Sequence, residues 1–173
     1  DNMIRLIGSK TITVSNIVLD PAADISWVNA AQKVGVQANV STGTGVTGGI
    51  EVFISSDPAA TTGGTAMRVT SEENVYQLAQ ATGLTSSGQL YVVAQSKTDN
   101  TVRGYAPFTI LRDVYSPRIS DVKVQTVQGG QNVVAQVVDS QSGVATVYAS
   151  QNGTGARPED AGSTAFERVV AGD

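Results

Sequence analysis

The sequence of 173 residues contains neither cysteine nor histidine. Without cysteine no disulfide framework can form, and the redox compartment of the protein cannot be inferred from bridges. Without histidine, Ser-His-Asp and Cys-His catalysis, zinc sites built on imidazole and histidine pH switches are excluded. The chain also lacks an apolar run near the roughly 18 residues of a membrane span, so we do not expect it to span a membrane.

Charged residues are scarce in this chain. They make up 15% of it, with a net charge of −4 and an isoelectric point near 4.7, against about a quarter in an average globular domain. Ser, Thr, Asn, Gln, Gly and Val take their place, a mixture typical of all-β surface modules. The acidic balance and the lack of a basic stripe argue against nucleic acid and anionic membrane surfaces as partners.

The sequence contains an internal repeat, in which residues 14–74 correspond to residues 119–173. The aligned segments are 14–19 with 119–124, 36–40 with 133–137, 51–55 with 146–150, and 65–67 with 164–166. Length differences between the copies fall in the predicted loops, where a true repeat tolerates them. A repeat of about 100 residues built from short alternating strands predicts a tandem array of sandwich domains.

Apolar and polar residues alternate along the predicted strands, as they do in half-buried β-sheets. The first copy contains seven such segments and the second contains four: 11–19, 34–41, 50–54, 67–69, 75–78, 90–96 and 105–111, then 118–124, 132–138, 144–150 and 164–170. Seven strands in about 100 residues indicate an antiparallel sandwich. We expect the inner rows to include Val36, Ala38, Val40, Val52, Ile54, Leu90, Val92 and Ala94, with Ala135, Val137 and Val147 in the second copy.

The predicted domain organisation is a strand-like segment at residues 1–10, a complete sandwich at 11–113 and a partial sandwich at 114–173. The equivalents of the last three strands are missing from the second copy. We expect the chain to be cut from a longer protein. The alternative is that a segment from elsewhere, such as residues 2–7 of a neighbour, completes the second sandwich by strand donation.

Several motifs of the second copy carry a resemblance to a known family. Asp113 and Pro117 mark a short linker before a strand, a later strand ends at Asp139, and Ser142-Gly143-Val144 leads into the next. This pattern resembles the immunoglobulin-like or fibronectin-III-like repeats of bacterial and archaeal cell-surface proteins. The resemblance implies tandem immunoglobulin-like antiparallel β-sandwiches, an extracellular location and no catalytic residues. The first copy departs from the pattern at Ser41, which replaces an Asp, and in an insertion around Trp27.

Two features that might suggest enzymatic chemistry have simpler interpretations. The glycine-rich segment 42–49 lacks the GxxxxGK[ST] spacing and the following helix of a P-loop, so we interpret it as a plain connection. The carboxylates considered for general acid–base catalysis are Glu72, Glu73 and Asp99. Adjacent residues on a strand face opposite sides, so Glu72 and Glu73 cannot flank one bond, and a solvated edge is favoured.

A structural calcium ion is the most plausible ligand among metals, although we expect no cofactor. The oxygen donors on predicted loops are Asp20, Asp24, Asp113 and Asp139. Calcium prefers six to eight oxygens with several carboxylates converging, whereas these acids are scattered. Turn capping is therefore the favoured role for them.

Three further residues are candidate contact or modification sites. Trp27, the only tryptophan, can stack on a sugar or anchor a partner if exposed, while covering one end of the sandwich is the favoured interpretation. Asn39 and Asn152 fit the N-glycosylation sequon, which is common by chance.

The expected function is that of a non-enzymatic structural repeat module of a cell-surface protein, of the surface-layer or adhesin type. Its partners would be neighbouring repeats or copies of itself, and glycans or cell-wall polymer. The alternative is an accessory carbohydrate- or substrate-binding module of a secreted hydrolase, with Trp27 as the contact residue.

Overall fold

The computed structural model describes residues 8–144, 147–150 and 163–165. This part of the chain contains one short 3-10 helix, Gln80–Thr82, and fourteen strands. The strands, β1 to β14 in chain order, are Ile12–Asp20, Val28–Asn29, Gly35–Thr42, Ile50–Ser55, Thr65–Ala66, Arg68–Val69, Val75–Leu78, Gly88–Ser96, Arg103–Ile110, Arg112–Asp113, Arg118–Val127, Gly130–Val138, Tyr148–Ser150 and Ser163–Ala165. Over the same residues, no helix has the length and apolar character needed to cross a membrane.

The chain divides into two units, Asp1–Arg112 and Asp113–Asp173. In unit one, strands β1, β3, β7 and β6 form one four-stranded sheet in that order, and β5, β4, β8 and β9 form a second. Neighbouring strands in both sheets run antiparallel. The predicted all-β class with antiparallel pairing is therefore confirmed.

One hydrophobic core lies between the two sheets of unit one. Its members come from both sheets, and they include the eight residues predicted as its inner rows: Val36, Ala38, Val40, Val52, Ile54, Leu90, Val92 and Ala94. The alternate residues Gln37 and Asn39 are half-buried and Glu51 is exposed, as expected for that register. Each valine or leucine moved out of water stabilises the fold by about 1.5–3 kcal/mol, so a one-residue slip of β3 would be costly.

The two sheets approach each other closely where β9 passes β1. A Cβ atom placed on Gly104 would collide with the carbonyl oxygen of Ile12. Only glycine permits this contact, because it has no side chain to separate the two backbones.

The segment predicted as one short strand near Met67 and Val69 is divided between the two sheets. Strand β5 pairs with β4 and strand β6 pairs with β7. Met67 lies between them, is buried in the core, and donates its backbone N–H to the Val52 carbonyl at 2.8 Å. The segment therefore crosses from one sheet to the other and closes this side of the core. The prediction of a single short strand near Met67 and Val69 does not include this crossing.

Unit two repeats the backbone pairing of unit one at the aligned residues. The equivalent pairs are Val14–Val40 and Ile119–Val137, Ser15–Asn39 and Ser120–Gln136, and, beyond a bulge, Val18–Gln37 and Lys123–Val134. Likewise, Phe53–Ala66 and Ile54–Thr65 in β4 and β5 correspond to Tyr148–Ala165 and Ala149–Thr164 in β13 and β14. The sequence repeat is thus also a repeat of strand register.

The inner face of the β11–β12 hairpin is more exposed than its counterpart in unit one. Ile119 and Val124 are 58% and 61% exposed, whereas the equivalent Val14 and Leu19 are 8% and 5% exposed. Val137 is buried, as predicted. Over the described residues of unit two, no counterpart of β8 or β9 lies against this face.

Other predictions for unit two have mixed outcomes. Val147 is buried as predicted, Ala135 is half-buried, and Val134 and Val138 are exposed. The third strand of this unit begins only at Tyr148. The predicted segment at 1–10 and the predicted strand at 164–170 lie largely outside the described residues.

Candidate functional site

The outer face of the sheet formed by β5, β4, β8 and β9 carries buried apolar residues that the alternation does not predict. Phe53 and Val93 are paired across β4 and β8 and point away from the core, yet both are buried. They are not members of the core between the sheets. The loop 56–64, which we name the cover loop, covers Phe53, since a Cβ atom on Gly64 would collide with the Phe53 ring.

Arg103 holds the cover loop by its backbone. Its Nη2 donates to the carbonyl oxygens of Pro58 and Ala60, both at 2.7 Å, and its Nη1 donates to the Ala59 carbonyl at 2.9 Å. Three successive carbonyls therefore converge on one guanidinium. A planar, permanently charged fork suits this task, because it can donate in several directions at once.

Gln95 makes the second attachment of the cover loop. Its Nε2 donates to the Thr61 carbonyl at 2.9 Å and to the Glu51 carboxylate at 2.6 Å. Gln95 is 3% exposed although it stands on the outer face of β8. The amide thus joins the loop to the neighbouring strand β4 beneath it.

An open groove of about 700 Å³ lies beside the cover loop. Glu51, Lys97 and Thr62 supply polar groups to its wall, and Met67 and Tyr76 supply apolar surface. The volume falls within the range of small-molecule sites. Side chains of both charge signs, Glu51 and Lys97, line it.

Two tyrosines form an aromatic pair on the same outer face. The rings of Tyr91 and Tyr105 meet edge to face, with centroids 5.9 Å apart. Tyr105 is 55% exposed. One ring face therefore remains open to solvent, and such faces can stack on sugar rings or on aromatic side chains.

Trp27 lies away from the groove, in the insertion of the first copy. Strand β2 follows it directly and pairs with β10, and the Val28 N–H donates to the Leu111 carbonyl at 2.9 Å. Val28 is buried while Trp27 is 42% exposed. The insertion therefore covers one end of unit one through Val28, and much of the indole remains in contact with water.

Arg112 is the buried hub of that same end. Its guanidinium donates to five carbonyl oxygens, those of Asn29, Ala30, Gln32, Leu84 and Ser86, at 2.6–3.4 Å. Burial lowers the pKa of Arg112. The sequence reasoning singled out neither Arg112 nor Arg103. Both are long, positively charged side chains in predicted strands or at their ends, in a chain with only 11 Lys and Arg, and this scarcity is the sequence feature that could have identified them.

The acids considered as calcium ligands act as turn caps or face solvent. In unit two, the Ser142 hydroxyl donates to the Asp113 carboxylate, and the Gln141 N–H donates to Asp139 at 2.8 Å. Asp20 and Asp24 are exposed in unit one. Over the residues that the structure describes, no three Asp, Glu, His or Cys side chains form a group suited to a metal ion.

The remaining carboxylates considered for acid–base work lie apart from the groove. Glu72 and Glu73 are exposed, and the Glu72 N–H donates to the Thr70 hydroxyl at 3.1 Å. The Thr101 hydroxyl donates to Asp99 at 2.5 Å, which holds the pKa of that exposed carboxyl below its ordinary value, with a weaker effect from the Thr101 backbone N–H.

The glycine-rich loop 42–49 uses its backbone donors within the fold. The Gly43 N–H donates to the Thr11 carbonyl at 2.8 Å, and the Gly45 N–H donates to the Ser9 carbonyl at 2.9 Å. A phosphate cradle needs such N–H groups free. This agrees with the interpretation of the loop as a connection.

The structure describes one of the two sequon asparagines. Asn39 is half-buried on the outer face of β3, between β1 and β7, whereas Asn152 lies outside the described residues.

Comparison of this chain with family models, with curated proteins and with solved structures finds no match.

Proposed function

We propose that the chain is a non-enzymatic structural repeat module of a cell-surface protein. The observation that carries the proposal is the recurrence in both units of the same strand pairing, including the same bulge. A unit that is repeated with its register intact is typical of proteins whose task is to space, to assemble or to adhere. The low content of charge suits surfaces that contact one another through polar, uncharged groups.

The proposed fold family is the immunoglobulin-like or fibronectin-III-like sandwich. Without counting β2, β5 and β10, the first, second, fifth and fourth strands of unit one lie in one sheet, and the third, sixth and seventh lie in the other. Immunoglobulin-type domains distribute their strands in this way. Unit one lacks the cysteine pair and the buried tryptophan of antibody domains, as do many surface repeats.

Extracellular location is tested on intact cells of the source organism. Antibodies raised against the chain should label unpermeabilised cells in immunoelectron microscopy, and brief treatment with an external protease should remove the label. Ordered sheets or filaments in the labelled material would identify a lattice protein, and isolated fibres would identify an adhesin. Labelling that appears only after permeabilisation would refute the proposal.

The rival function is a carbohydrate-binding module of a secreted hydrolase. The half-exposed Trp27 and the open ring face of Tyr105 favour it, because indole and phenol rings are the usual stacking partners of sugars. Binding to a glycan array that is lost in Trp27→Ala but kept in Tyr105→Ala would place the contact in the insertion. The reverse pattern would place it on the outer sheet face, and no binding by the unmodified chain would eliminate the rival.

A further inference from the structure

Two buried polar atoms beneath the cover loop have no hydrogen-bond partner in the protein. They are Gln95 Oε1 and Arg103 Nε. The other polar groups of these two side chains are bonded, to the loop carbonyls and to Glu51. Folded proteins seldom leave buried polar atoms unpaired, so this pair requires a physical explanation.

The two atoms are complementary and belong to neighbouring residues. Gln95 and Arg103 are directly opposite each other in the β8–β9 pairing, so their side chains leave the sheet on one face. Arg103 Nε–H can only donate, and Gln95 Oε1 can only accept. One molecule that accepts from the first and donates to the second would satisfy both.

Neither side chain can turn to bond the other directly without loss. Rotation of the guanidinium would break the bonds to the Pro58, Ala59 and Ala60 carbonyls. A flip of the Gln95 amide would bring its oxygen against two acceptors, the Thr61 carbonyl and the Glu51 carboxylate. The bonds already made therefore keep the two unpaired atoms as they are.

We propose that one buried water molecule bridges Arg103 Nε–H and Gln95 Oε1 and completes the attachment of the cover loop to the sheet. The water accepts from the guanidinium and donates to the amide oxygen. Its second O–H is directed to a cover-loop carbonyl, because each of these oxygens retains a free lone pair. Three hydrogen bonds are the usual number for an internal water. The cover over Phe53 is then held by one fixed solvent molecule in addition to the direct bonds from Arg103 and Gln95.

A high-resolution crystal structure tests the position of the water. We expect an ordered water within about 2.7–3.2 Å of both atoms. A direct bond between Arg103 Nε and Gln95 Oε1 would overturn the proposal. A cover loop lifted from the sheet, with both atoms exposed to bulk solvent, would also overturn it.

Magnetic relaxation dispersion of ¹⁷O tests the same site in solution, since it counts long-lived internal waters. Gln95→Leu should lose one such water relative to the unmodified chain. Gln77→Leu removes an exposed amide on β7 and should lose none. An equal count in the unmodified chain and Gln95→Leu would contradict the proposal.

A second variant tests the guanidinium side of the bridge. Arg103→Lys keeps the charge but has no Nε–H, so it should also lose one long-lived water. Hydrogen exchange of the cover-loop amides should become more than about tenfold faster, because the variant loses the water and also part of the fork to the Pro58, Ala59 and Ala60 carbonyls. Faster exchange with an unchanged water count would show that the loop is held without the bridge, and would overturn the proposal.

Discussion

Two arginines are the main side-chain donors to the backbone carbonyls of unit one. Arg103 donates to three carbonyls and Arg112 to five, and over the described residues neither guanidinium bonds to a carboxylate. Carbonyl groups in irregular segments have no ladder partner, and a guanidinium can satisfy several of them at once. At the residue scale, these two buried or half-buried charges therefore organise loops.

Removing Arg112 should destabilise unit one strongly. Arg112→Leu removes the guanidinium from five carbonyl oxygens, of which those of Asn29 and Leu84 keep a backbone donor, and we expect a loss of about 3 kcal/mol in the free energy of unfolding. Arg112→Lys should lose a large part of this, because an ammonium cannot reach carbonyls on both sides. Arg68→Leu, at an exposed position of β6, is the matched control. Chemical denaturation measures all three, and equal stability of Arg112→Leu and the control would contradict this role.

The environment of Asp99 predicts a small, signed pH effect. The Thr101 hydroxyl depresses the pKa of Asp99 in the folded state, so the contribution to stability is present above the unfolded pKa of about 3.9 and is lost as the pH falls through the folded pKa. Thr101→Val should raise the pKa of Asp99 toward its ordinary value and reduce the loss of stability below about pH 4. Carboxyl ¹³C NMR titration measures the shift. A pKa that does not move in Thr101→Val would refute the assignment.

At the scale of elements, the two units share a β-bulge at the same aligned position of their first strands. Asn16 in β1 and Asp121 in β11 have φ values of 48° and 50°, and both lie where two residues oppose one on the partner strand. Asn and Asp are the side chains that best tolerate this left-handed conformation. The bulge changes which residues of β1 face inward, so that Val14 before it and Leu19 after it are both buried.

Substitutions at the bulge should follow backbone preference. Asn16→Val places a β-branched residue at positive φ and should cost about 1–2 kcal/mol, while Asn16→Gly should stay within about 0.5 kcal/mol of the unmodified chain. Asp121→Val and Asp121→Gly provide the same comparison in unit two. Thermal or chemical denaturation of the four variants is the measurement. If valine and glycine behaved alike at both sites, the bulge would not be maintained in solution.

At the scale of the whole molecule, the two units share a register but differ in how much of their inner faces is covered. In unit one, the sheet of β1 and β3 is covered by the sheet of β4, β8 and β9, and the core residues of both are buried. In unit two, the equivalent row on β11 and β12 is largely exposed. The opposite sheet therefore decides whether an inner-face residue is buried, and so how much that residue contributes to the free energy of unfolding.

Paired valine substitutions measure this difference directly. Val36 and Val133 are aligned in the repeat and are 1% and 40% exposed. Val36→Ala should cost about 2 kcal/mol through lost burial and a cavity, and Val133→Ala should cost less than about 1 kcal/mol. Residue-resolved hydrogen exchange reports each unit by itself. Similar costs at the two positions would mean that the inner face of unit two is covered in solution.

Local pattern was sufficient for the class of fold, for the register and for the repeat. The period-two alternation around Val36, Ala38 and Val40 specifies which face turns inward, because a strand projects successive side chains to opposite sides. The repeat follows from the alignment of residues 14–74 with 119–173 without reference to coordinates. In unit one, most ends of the predicted strands lie within two residues of the observed ends. The exact ends could not be predicted, because they depend on partner strands distant in sequence.

Tertiary structure alone decided the candidate site. Phe53 occupies an outward position by alternation, and it is buried because the cover loop lies over it. Arg103 and Gln95 hold that loop from strands distant in sequence. Arg103, Gln95 and Arg112 bond to carbonyls 26 to 83 residues away, and no local signal identifies such partners. The sequence by itself determined the longer strands, which of their residues face inward, and their repetition, because these follow from the spacing of neighbouring residues. What covers each sheet face was decided by the tertiary structure, because it depends on contacts between segments far apart in the chain.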